Sequence, residues 1–314
     1  VSTSQTQAAP LEIHLEAKKW NDLTKVESIT AFQLLTEGNG LRLHLPMLSL
    51  MQRLRAFYYL AKLPEHVIQE WERSDTLSTD DALDGETLFA YSLHQACSEM
   101  LAPLINTDPE QPAGPHTLRF ERTRPFWPEL KLKGKDKRTS ESWYAPATGW
   151  DNLTIYEMAS AFSLLEQYGE SSDITTLHRL FATLYRPAKP ATPHNLDTNY
   201  QGARRIPYRE HGEHTVERRM KEFSKLGLAQ LNLLLFWAMS CRHSIIERYP
   251  RVFNGKPRNP DRHPNDYGWG GVLLSIANGV ADLDRVADQN CHTVLTYLSK
   301  LEDERLEVEM WGHS

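Results

Sequence analysis

The sequence contains no apolar stretch long enough to cross a bilayer. Its longest run, residues 233–239, follows an Asn and stops at a Ser, far short of the roughly 20 residues a spanning helix needs. A helical membrane protein is excluded. Cysteine is scarce: Cys97, Cys241 and Cys291 are widely spaced and odd in number, which excludes a disulfide framework and reads as reduced core thiols. There is no G-x-S-x-G elbow, no H-E-x-x-H helix, no C-x-x-C pair and no dinucleotide-binding glycine pattern, so the common hydrolase, zinc-protease, redox and cofactor signatures are missing. Positive charge is not in excess either, with a net charge of -6, the wrong sign for a typical polyanion binder. The opening "VSTSQTQAAP" lacks the basic start and apolar centre of a signal peptide, so it reads as a flexible lead-in to a cytoplasmic chain.

What is present is ordinary globular composition over 314 residues, 40% hydrophobic and 24% charged, and a repeat. "WNDLTKVESITAFQLL" at residues 20–35 returns as "WDNLTIYEMASAFSLL" at residues 150–165. In each copy a Thr is followed three residues later by a Glu, Thr24 with Glu27 and Thr154 with Glu157, which is the spacing of a capping box. Each copy therefore starts a helix. Leu23 and Leu153 stand where a hydrophobic staple would, facing Ser28 in the first copy and Met158 in the second, so only the second has an apolar partner. Ala31, Phe32, Leu34 and Leu35, and likewise Ala161, Phe162, Leu164 and Leu165, give the apolar face. Gly38 and Gly169 are the expected helix ends.

A second helix follows each copy, through "LPMLSLMQRLRAFYYLAKLP" and "DITTLHRLFATLYRP", so the repeated unit reads as a helical hairpin. Further helices are expected over residues 64–73, 79–104, 214–248, 272–278 and 283–307, with Gly227 a bend or break in the third. The expected fold is mainly α, a multi-helix bundle with a duplicated helical hairpin, long loops and a short β-hairpin insertion. The organisation along the chain is a lead-in at 1–14, a first helical repeat region at 15–105 and a Pro-rich basic insertion at 106–149. A second helical repeat at 150–186, a long loop at 187–213 and a C-terminal helical region at 214–314 complete it.

Chemistry-bearing clusters are few. "EHGEH" places His211 and His214 beside Glu210 and Glu213, but a zinc helix needs two His four apart with Glu after the first, and here Gly212 follows. It reads as a polar helix start. Asp261, His263 and Asp266 sit in a stretch whose Pro, Asn and Gly set a turn. Cys241 and His243 are two apart on one helix and point to different sides. Asp80, Asp81, Asp282 and Asp284 suit helix starts. Basic residues at 131–138 and 204–209, with Phe126, Trp127, Trp143 and Tyr208 nearby, offer stacking surfaces for nucleic acid, but the net charge favours solvated loops. No residue is assigned a catalytic, cofactor-binding or metal-ligating role.

Trp150, Leu153, Thr154 and Glu157, the "LYRP" of residues 184–187, Trp269, Leu273, Ile276 and Ala277, and His292, Thr293, Val294, Leu295 and Leu298 form a pattern across much of residues 150–300. It resembles helical proteins encoded among the tail and virion-assembly genes of phages and prophages from the Bacteroidetes. That resemblance implies a non-enzymatic structural or assembly protein acting through protein–protein contacts in a phage tail or virion-like particle. Its partners would be other phage structural or assembly proteins, or copies of itself, in host cytoplasm or virion, with no cofactor. The alternative is a metal-dependent hydrolase or nucleic-acid-processing enzyme using His211, His214, Glu213, Asp261 and His263.

Overall fold

A computed structural model describes residues 19, 21–36, 56–57, 59–62, 101, 104–106, 117–133, 140–189, 192, 205–206, 212–253, 268–277 and 279–311. The architecture is mainly helical with a small three-stranded antiparallel sheet. The chain divides into two compact units, residues 1–40 with 45–119, and residues 41–44 with 120–314.

In the first unit, helix α1 (Lys25–Thr36) begins as its capping box dictates: the Thr24 amide donates to Glu27 at 2.8 Å and the Glu27 amide donates to Thr24 Oγ1 at 3.2 Å. Ala31, Phe32 and Leu35 are buried along one side, as 3.6-residue periodicity requires. Two short strands, β1 (Ile105–Asn106) and β2 (Thr117–Leu118), pair antiparallel. The helices expected over 64–73 and over most of 79–104, and the ending at Gly38, lie outside the described residues.

The second unit repeats the same start. In helix α2 (Ile155–Ser171) the Thr154 and Glu157 exchange is complete, at 3.0 and 3.2 Å. Leu153 and Met158 are both buried, consistent with the staple. Gly169 does not end this helix. Buried Tyr168 holds the last turn in the core, and Ser172 takes the left-handed conformation instead (φ 53°), its amide donating to the Tyr168 carbonyl at 2.8 Å. Helix α3 (Ile174–Leu184), capped by Asp173, returns alongside.

Within the Pro-rich segment, β3 (Glu129–Lys133) and β4 (Ser140–Tyr144) form the hairpin, and β5 (Arg186–Pro187) adds a third strand. Period-two alternation explains it: Leu130, Leu132 and Trp143 are buried while Lys131 is exposed.

The expected helix over 214–248 is two, α4 (Gly212–Phe223) and α5 (Leu228–Arg248). Gly227 is the break and becomes the N-cap of α5. After α6 (Pro250–Phe253) and α7 (Gly268–Ile276), the expected helix over 283–307 also divides, into α8 (Val280–Ala287) and α9 (Cys291–Trp311). Asn290 makes that division. Its side-chain oxygen accepts from the amides of His292 (2.9 Å) and Thr293 (3.3 Å), and its Nδ2 donates to the Asp151 carbonyl at 2.7 Å. The backbone laces the two starts together, Ile155 N–H to Gln289 O and Cys291 N–H to Leu153 O.

A chain of aromatic rings forms the core. Trp143 meets Phe223, Phe223 meets Tyr185, Tyr185 meets Trp237, Trp237 meets Trp150 and Trp150 meets Phe162, at centroid distances of 5.7–6.2 Å. Trp237, fully buried at its middle, donates from Nε1 to the Thr123 carbonyl at 3.1 Å. Replacing Trp237 by Ala empties that centre, and denaturant unfolding should show a loss of about 3–5 kcal/mol.

Candidate functional site

The second copy of the repeat carries a buried charge cluster. Glu27 is half-buried, whereas Glu157 is only 1% exposed. Its Oε2 accepts from the Thr154 amide and from Arg205 Nη2 at 3.2 Å, and Arg186 Nη2 lies in ion-pair contact with Oε1. Both arginines are buried. Arg205 also donates to the Leu184 carbonyl at 3.0 Å, and nearby Arg219 donates to Ala182 O at 2.9 Å. Burial, then the neighbouring Arg205, pulls the Arg186 pKa below the ordinary guanidinium range, against the pull of Glu157. It stays charged at neutral pH, because guanidinium groups start so high. The expectation of a solvated basic loop over 204–209 is therefore corrected at Arg205. The capping carboxylate was free to take a second task, and it collects this arginine into the interior.

This cluster holds α2, β5 and the bridge between Ala188 and Arg205 together. Gln at position 157 keeps the cap but removes the charge that offsets two buried guanidinium groups. E157Q should therefore lose about 3–5 kcal/mol, measured by urea melts beside the unsubstituted chain.

A second polar contact joins α9 to the start of α2. Tyr249 OH lies 3.0 Å from His292 Nδ1, and His292 Nε2 lies 3.2 Å from Asp151, which Arg248 also approaches at 3.8 Å. An imidazole between a carboxylate and a phenol can relay a proton, but Tyr249 is itself buried, so here the set works as a tie. Burial lowers the His292 pKa, against Asp151, and burial lowers that of His178 too. On acidification the unfolded chain takes up these protons first. Stability is full above the ordinary imidazole value of 6.5 and falls as pH drops through the lowered folded values. The melting temperature should fall between about pH 7.5 and about pH 5.5, and less in H292N.

One open space among the described residues lies elsewhere. A groove of about 420 Å³ runs between α2 and α7, with Glu166, Gln167 and Glu170 on one side and Trp269 and Val272 on the other. Trp269 sits edge-on to Phe162 (6.3 Å, 87°), and Phe253 touches both rings at 5.7 and 5.9 Å. The ring chain of the core thus reaches the surface at the groove. Arg242 packs beside α2: its guanidinium carbon is 5.4 Å from the Phe162 ring centre and its Nη2 is 3.1 Å from Glu166 Oε1.

His211 and the 261–266 segment, with Asp261, His263 and Asp266, lie outside the described residues, as do the side chains of Glu213 and His214 and Tyr208. His243 is exposed on α5 and pairs with Glu247 at 3.1 Å. Cys241 and Cys291 are free and buried, as expected of core thiols. Burial pushes the Cys241 thiol far up and Cys291 to about 12, which removes both as thiolate nucleophiles. Phe126 and Trp143 are core residues, which rules them out as stacking platforms. Asp282 occupies the first turn of α8, as its dipole argument requires. Among the described residues no group of three or more His, Cys, Asp or Glu is placed to hold a metal ion, and no helix is long and apolar enough to cross a membrane. The groove was not foreseen, although Glu166 and Glu170 at i, i+4 and the Trp269 of "YGWGG" were its signals. Compared with known protein families, curated proteins and solved structures, the chain has no match.

Proposed function

We propose that this chain is a non-enzymatic, helical structural or assembly protein that acts through protein–protein contacts, in a phage tail or virion-like particle. The observation that supports contact-making is the outer part of α9. Its buried residues, Cys291, Val294 and Leu295, are confined to the start of the helix. Beyond them, Tyr297, Leu301, Val308 and Trp311 are exposed, Val308 at 72% and Trp311 at 78%. Their offsets of 4, 11 and 14 residues place them on one side of a 3.6-residue helix. The opposite side of α9 faces α6, where Arg251 Nε reaches Asp303 at 3.0 Å, so the apolar stripe is turned away from the core. An exposed apolar stripe of this kind marks an interaction surface. The phage setting comes from the resemblance of the sequence pattern.

The test is co-expression with the products of flanking virion genes, followed by size-exclusion chromatography with light scattering. A stoichiometric complex, or self-association, is expected. Val308→Asp should abolish it while shifting stability by no more than about 0.5 kcal/mol, as surface changes do. A strictly monomeric chain that captures none of those products defeats the proposal.

A further inference from the structure

The geometry points to the groove between α2 and α7 as a seat for one basic side chain, arginine or lysine, presented by a protein partner. Three features select that chemistry. First, Glu166, which lines the groove, already pairs with a guanidinium, that of Arg242, at 3.1 Å. Second, Glu170 stands one turn beyond Glu166 and so shares its side of α2. It is exposed, and no cation lies within ion-pair distance of it among the described residues. Third, Trp269 lines the same groove, and tryptophan is the strongest of the aromatic partners for a cation. Phe162 and Phe253 pack against its indole, which restricts the ring's movement.

Size agrees with this. A groove of about 420 Å³ accepts a long side chain with its head group. Glu166 is already neutralised by Arg242, so Glu170 supplies the net charge. Arginine is also among the residues that anchor protein interfaces most strongly. The inference rests on the contact-making role proposed above, but its test needs no partner protein.

The experiment is a titration of the full chain with the capped peptide Gly-Gly-Arg-Gly-Gly, followed by the indole N–H signal of Trp269, which is identified by its loss in W269F. The control peptide carries citrulline, the neutral analogue of arginine. A saturable shift with the arginine peptide is expected, weakened about fivefold or more by citrulline and by high salt. E170Q changes an exposed residue, leaves the melting temperature unchanged and should weaken the arginine peptide about threefold or more. Equal binding of the two peptides, an affinity unchanged in E170Q, or no movement of the Trp269 signal overturns the inference. Any of those results leaves the α9 surface and its partner test untouched.

Discussion

The second unit is organised around one carboxylate that answers to three groups. Glu157 accepts the Thr154 amide at the start of α2 and faces two buried guanidinium groups, those of Arg186 and Arg205. A buried charge is costly unless it is paired and hydrogen-bonded. Each arginine's position is therefore tied to that of the helix start, and the helix start to theirs. Arg205 extends the tie to the end of α3 through the Leu184 carbonyl. Chain segments 48 residues apart are fixed by a group that is also the local cap of its helix.

Around that point the packing is aromatic and continuous. The rings from Trp143 to Phe162 join the hairpin face to α4, α5 and α2, and Phe253 with Trp269 carries the series to the groove. Large rigid rings contribute more than area: edge and face contacts add directional preference. The shape of the groove is thus inherited from the core behind it, and Trp269 is held more firmly than an isolated surface indole would be.

Much of this was legible from local chemistry. Capping boxes depend on residues three apart, so both helix starts were readable, as were the break at Gly227 and the period-two alternation of Leu130 and Leu132 with Lys131. What required a distant partner was not readable. Asn290 divides a periodic apolar stretch because Asp151 and the amides after it share its side chain. Gly169 failed as a stop because Tyr168 is anchored in the core. Arg205, within a run of basic and polar residues, carried no local sign of burial; only the position of Glu157 makes it explicable. Phe126 and Trp143 suggested a surface platform because the hydropathy of a short hairpin does not say which side is covered.

The duplicated cap also constrains the order in which such a cluster can arise. A buried arginine with no counter-charge is strongly destabilising, so Arg186 and Arg205 could not settle in the interior before position 157 carried an acid. The glutamate needs no such forerunner, since capping alone stabilises its helix. Loss of either arginine leaves an acid that still caps a helix, whereas loss of the acid strands two buried cations, so the three positions are unequal in what they tolerate.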